Sequence, residues 1–317
     1  MWERIKRKAL FSRGFRRLIR WSKRVQLPGF GGFSLYAISR FFFDALVTGR
    51  LDTRASAIAF KLFVAFFPAV IVLLTLIPYI PIDDLQAKLL STFQGMLPYE
   101  VYTFVESTLH DLVLKKHGTL LSVSFVIGVY VASNSVNAIL LGFSGSTNLT
   151  TWHTPMKQRL LSLGLLFALT ILVMIAIPVL TISNSLVAWL NERGHLSSWF
   201  EVAGLFAAKW GILMVLVLAM LALLYNAGDP TRRHFYWITP GAILALVLVL
   251  VLSEALTFVF SNITDYNALY GSIGAILAVQ LWIYLNMIAL LVGYELNTSI
   301  SRARRAQRSE LLPVTKA

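Results

Sequence analysis

Six stretches of the chain, at about residues 56 to 80, 119 to 142, 160 to 182, 204 to 226, 237 to 260 and 271 to 297, are almost continuously apolar. Crossing a hydrocarbon core of about 30 Å takes about 20 helical residues, and backbone in that core must satisfy its own hydrogen bonds. Each stretch is therefore predicted to be a transmembrane helix, and the fold class is all-α: a polytopic bundle of six spans. Composition agrees, with 57% hydrophobic and only 14% charged residues, against about 25% charged in soluble domains.

Six spans put both termini on one side of the membrane, and the basic residues choose the side. Thirteen Lys and Arg precede residue 56, and 22 of the 28 fall on the terminal side of the predicted topology. That asymmetry predicts cytoplasmic termini in a bacterial inner (plasma) membrane. The formal charge of +13 then reports topology and attraction to anionic inner-leaflet lipid, and no nucleic-acid partner is expected. There is no cysteine, so disulfides and thiolate chemistry are excluded, and the interrupted basic start is not expected to act as a cleavable signal.

Three segments follow from this. Residues 1–55 form a basic, amphipathic, interfacial segment on the cytoplasmic side. Within it "MWERIKRKALFSRGFRRLIRWSKRVQ" interleaves Trp2, Ile5, Leu10, Phe15 and Trp21 with Arg and Lys, the pattern of a helix lying on anionic lipid. "PGFGG" breaks it, and a second short helix is predicted over about 33 to 48. Residues 56–298 form the membrane domain. Its outer loop, 81–118, carries Leu85, Leu89 and Phe93 and then, after Gly95 and Pro98, Val101 to Leu112 at helical spacing, which predicts two short capping helices. Residues 299–317 form a basic cytoplasmic tail.

Charged and polar groups inside spans need partners or water, because hydrocarbon offers neither. By depth, Lys61 and Glu295 belong to the inner leaflet and are expected to pair. Lys209 and Glu254 form a second candidate pair in the outer leaflet. Ser133, Asn134, Ser135 and Asn137 cluster in the inner half of span two, and Gln280, Tyr284, Met287, Leu291 and Glu295 share one face of span six. With Asn286 these residues predict a polar cavity facing the cytoplasm, against the alternative that each Asn and Gln only joins helices. The five histidines form no HExxH or HxH pattern, and no Walker A, GxGxxG or GxSxG motif is present. No catalytic residue, metal site or cofactor is therefore expected.

The stretches "ASAIAFKLFVAFFPAVIVLLTLIPYIP", "ASNSVNAILLGF" and "YNALYGSIGAI" to "GYELN" resemble the YihY/virulence factor BrkB family of bacterial inner-membrane proteins. The resemblance implies six spans and places the family's motif on Tyr266, Asn267, Tyr270, Gly271, Ser272, Gly274, Glu295 and Asn297. Members have also carried the label ribonuclease BN, for which these residues show no hydrolytic site.

The leading functional expectation is a secondary transporter, not driven by ATP, or a lipid- or solute-handling protein working through the cytoplasm-facing cavity. The alternative is a non-transporting envelope integrity or assembly protein acting through protein partners. A membrane-anchored ribonuclease is the third reading. Membrane lipids of the anionic inner leaflet and an unidentified solute, ion or lipid are the expected partners, with a homo-oligomer as a further option.

Overall fold

The computed structural model describes residues 34–81, 84–96, 99–146, 152–192, 199–230, 234–262 and 272–311. Those residues are helical apart from turns and short connections. The interfacial helix expected over residues 1 to 27 and the motif residues Tyr266, Asn267, Tyr270 and Gly271 lie outside them.

Among the described residues nine α-helices follow in order: α1 (Leu35–Thr48), α2 (Leu51–Leu76), α3 (Leu85–Met96), α4 (Tyr99–Leu114), α5 (Gly118–Ser144), α6 (Pro155–Glu192), α7 (Trp199–Ala227), α8 (Pro240–Asn262) and α9 (Ser272–Leu311). A short 3₁₀ turn, Ile77–Tyr79, ends α2. Six of the helices, α2 and α5 to α9, are long and apolar enough to span a membrane. The α1 helix and the α3–α4 hairpin also stand where the hydrophobic spacing puts them.

Two helix boundaries differ from the segment boundaries read from the sequence. The first span begins at Leu51, five residues before residue 56, so Arg54 lies inside α2. The last helix does not stop at 298 but continues to Leu311, because Ile300 and Ala303 pack against Ile38 of α1 and carry the helical register past the span. The turn between α1 and α2 places Arg50 in the left-handed region, at φ 46°.

The bundle has two unlike ends. At the basic end lie α1, the α5–α6 and α7–α8 connections and the extension of α9. At the far end lies the α3–α4 hairpin, where Leu90, Tyr102, Leu109 and Val113 form a small core of their own. There the Lys115 ammonium, 2.7 Å from Asp111, lowers the Asp111 carboxyl below its usual range, and His117, just before α5, reaches the same carboxylate at 3.1 Å.

The main core lies toward the basic end. Ala55 and Ile58 of α2, Val136 to Phe143 of α5, Leu221 to Tyr225 of α7, Ala242 and Ala245 of α8, and Leu290 to Tyr294 of α9 meet there. Phe143 stacks on Tyr294 with ring centroids 4.0 Å apart and meets Tyr225 edge-on at 5.8 Å. All three are fully buried, so α5, α7 and α9 converge at this level.

Eighteen residues away on the same three helices stand Phe125, Ala207 and Ile276. Five helical turns, about 27 Å, return each to the bearing of its aromatic counterpart. Yet Phe125 is 57% exposed and Ile276 52%, and Ala207 is exposed as well. Toward the far end these faces are therefore covered by less of the chain than at the level of the aromatic residues. Gly128 keeps α5 close to α2 beside it, near Pro68 and Val72.

Candidate functional site

The closing "GYELN" of the last span, Gly293 to Asn297, forms a clasp at the basic end of the bundle. Each of its residues holds a different neighbour.

Gly293 lies against Gly241 of α8 so closely that a Cβ on either would strike the other's carbonyl oxygen. Only hydrogen side chains allow that approach. Tyr294 fills the core and donates its hydroxyl to the Gly228 carbonyl in a short hydrogen bond, while the Tyr225 hydroxyl donates to Leu290 O at 2.8 Å. Leu296 packs on Ile38 and Ile300. Asn297 accepts the Gly241 N–H at 2.9 Å and donates to Thr239 Oγ1 at 3.0 Å. It thereby satisfies one of the backbone donors that the start of α8 leaves open.

Glu295 is fully buried. Its Oε1 accepts from Arg54 Nη1 at 2.8 Å and Nη2 at 2.9 Å, and its Oε2 accepts from Ser146 Oγ at 2.6 Å, with Thr298 Oγ1 at 3.4 Å. Arg54 Nη1 also reaches the Gly49 carbonyl at 2.9 Å and the Gly145 carbonyl at 3.3 Å. One buried ion pair thus joins the α1–α2 turn, the end of α5 and the middle of α9. Charge-assisted bonds of this kind are short and strong. Both carboxylate oxygens are engaged, which is the geometry of a clasp.

The depth argument pairs Glu295 with Lys61, and the structure pairs it with Arg54. Arg54 and Lys61 are seven residues apart on one face of α2, about 10 Å along the helix, and Glu295 lies at the level of the first. Lys61 is half-buried, and its backbone carbonyl accepts from Ser135 Oγ at 2.7 Å. Nor does an ion pair join Lys209 to Glu254 among the described residues: Lys209 is half-buried and Glu254 exposed.

Of the polar groups expected to line one cavity, Asn137 and Asn286 are held by protein partners. Asn137 Oδ1 accepts from Gln158 Nε2 at 2.8 Å, and Gln158 Oε1 from Trp152 Nε1 at 2.7 Å, which ties α5 to the start of α6. Asn286 turns back to the Trp282 carbonyl at 2.7 Å. Tyr284 and Met287 pack on the main core, and Leu291 is within it. Asn134 is half-buried. Gln280 Oε1 and Ser133 Oγ are buried without a hydrogen-bond partner. Ser272 opens α9, and Gly274 is buried. Among the described residues no group of three or more His, Asp or Glu could hold a metal ion.

Sequence reasoning misses Arg54, Ser146, Thr239, Gly241, Gln158 and Thr298. Arg54 is hidden among the basic residues that count toward topology. The others are small or neutral groups whose partners lie far along the chain.

A family profile described as "Virulence factor BrkB" matches residues 42–316. The chain belongs to the virulence factor BrkB family. Its relatives include the ribonuclease-like protein YfkH of Bacillus subtilis (strain 168), 28% identical over 80% of this chain and 91% of that protein. UPF0761 membrane proteins match more of this chain than of themselves. One from Kangiella koreensis is 26% identical over 70% of this chain and 55% of its own length. One from Xanthomonas campestris pv. campestris (strain B100) is 22% identical over 87% and 64%. No solved structure matches the chain. The BrkB match covers the whole clasp, from Arg54 to Asn297.

The Asn297 cap has a measurable worth. Asn297→Ala removes the acceptor for the Gly241 N–H and is expected to cost about 1 kcal/mol, within the range of lost helix caps. Asn297→Asp, which keeps that acceptor, is expected to cost less. Thermal unfolding of the full chain in detergent reads both.

Proposed function

We propose that this BrkB-family membrane protein handles a lipid or similarly amphiphilic solute, without ATP, through an apolar funnel where α5, α7 and α9 part toward the far end. The observation that carries the reading is the contrast along those helices. Phe143, Tyr225 and Tyr294 are fully buried together, whereas Phe125, Ala207 and Ile276 on the same faces are exposed. An apolar funnel within a hydrocarbon layer suits an acyl chain better than a hydrated ion, which would lose its water there without replacement.

On this reading the basic end faces the cytoplasm of a bacterial inner membrane, by the asymmetry of Lys and Arg. The funnel then opens toward the outer leaflet, opposite to the cytoplasm-facing cavity expected from the polar residues of spans two and six. The clasp is the closed inner gate. A wide outer vestibule above a sealed inner end corresponds to one state of an alternating cycle, and transfer across the membrane requires the clasp to loosen.

The test is reconstitution of the full chain into vesicles carrying fluorescent phospholipid, with a membrane-impermeant reductant outside. Protein-containing vesicles are expected to expose inner-leaflet probe faster than protein-free ones. Ala207→Trp, a substitution at an exposed wall position, is expected to fold and to slow that exposure. A rate equal to that of protein-free vesicles would remove the lipid-transfer reading and favour a static envelope protein.

A further inference from the structure

The α1 helix presents a stripe of exposed residues, Tyr36, Arg40, Phe43 and Val47, at spacings of four, three and four. Its other side is fixed to α9 through Ile38, Ile300 and Ala303. Along the stripe runs a groove of about 490 Å³ lined by Arg40, Phe41, Phe43, Asp44, Val47 and Arg302. Arg302 lies over the Phe41 ring, its guanidinium carbon 4.9 Å from the centroid, which holds a long cationic side chain at the groove edge.

The groove is divided by chemistry. Arg40 and Arg302 supply two guanidinium groups, the side chains best shaped to hold a phosphate through paired hydrogen bonds. Phe43 and Val47, 63% and 83% exposed, supply an apolar wall that would be unfavourable in water. Asp44 adds one acceptor, leaving the lining with a net positive charge.

We infer that this groove binds the headgroup of an anionic glycerophospholipid. The phosphate sits between Arg40 and Arg302, an acyl chain lies along Phe43 and Val47, and Asp44 accepts a hydroxyl of a glycerol headgroup. The ligand is a component of the surrounding bilayer rather than a free anion, because a free phosphate has no use for the apolar wall. The site stands at the opposite end of the molecule from the funnel mouth and does not depend on what the funnel carries. Its effect is to anchor α1 and the extension of α9 together at the membrane surface, next to the clasp.

A local reporter tests it. The chain has no cysteine, so Thr48→Cys in the full-length protein accepts a single environment-sensitive fluorophore at an exposed position beside the groove. Short-chain phosphatidylglycerol is expected to change its emission in a saturable manner, with phosphatidylcholine, which lacks the net charge and the hydroxyl donor, binding about tenfold more weakly. Arg40→Gln, at an exposed position, is expected to weaken the phosphatidylglycerol response about tenfold, the loss of roughly one charge-assisted hydrogen bond. Asp44→Asn is expected to leave phosphate binding in place. Equal responses to the two lipids, or an unchanged response in both Arg40→Gln and Arg302→Gln, would overturn the site. An equal saturating response to inorganic phosphate would overturn its assignment to a lipid.

Discussion

Arg54→Met and Glu295→Gln are each expected to destabilise the protein by about 3 to 5 kcal/mol, and the double mutant to lose less than the sum. Removing one partner of a buried pair strands the other charge, and that stranded charge is the main cost. Arg54 also holds the Gly49 and Gly145 carbonyls, so its loss is expected to be the larger of the two. The cycle is read by thermal unfolding of the full chain in detergent, and a coupling above about 1 kcal/mol marks a direct interaction. Lys61→Met provides the contrast. It shares no contact with the Glu295 carboxylate, so its effect should add to that of Glu295→Gln. Additivity of Arg54 with Glu295, or coupling of Lys61 with Glu295, would count against the clasp.

A second large effect is expected where α8 meets α9. Gly241→Ala and Gly293→Ala each put a methyl group onto a backbone carbonyl of the facing helix, and backbone cannot turn aside as the end of a side chain can. Overpacking costs about 1 to 3 kcal/mol where neighbours can adjust, and more where they cannot. We expect each variant to exceed that range or to fail to accumulate. Gly128→Ala is the control, since its added carbon would meet Pro68 and Val72 at an ordinary 3.8 Å. It should be tolerated and can gain slightly from helix propensity. Membrane-fraction yield and unfolding temperature separate the three. Equal behaviour would show that α8 and α9 are not in backbone contact.

Much of the fold was legible because lipid imposes a simple rule: a long apolar run has to be a helix. The six spans, α1 and the α3–α4 hairpin all follow from length and hydrophobic spacing. The partner of Glu295 was not legible in the same way. Depth can be read from a sequence to within a turn or two, but Arg54 and Lys61 differ by two turns on one face, and the error in placing the start of α2 is nearly as large. Side-chain chemistry also misled. Asn137, Asn286 and Glu295 suggested a wet interior, whereas each is satisfied by a protein group: Gln158, the Trp282 carbonyl and Arg54. The funnel left a different trace. Phe125 and Ile276 look like any lipid-facing residue in the sequence, and only their contrast with the buried Phe143 and Tyr294 on the same faces supports the proposal that the helices diverge.

The most direct measurement is the separation of α5 and α9 at the far end. Spin labels on Phe125→Cys and Ile276→Cys, in a chain with no other cysteine, report it by pulsed electron resonance in lipid nanodiscs. Packed helices lie about 8 to 10 Å apart axis to axis. The funnel predicts a label separation clearly greater than such a pair can give, in nanodiscs of either long-chain or shorter-chain phospholipid. A single short distance, matching two helices in contact under both conditions, would contradict it.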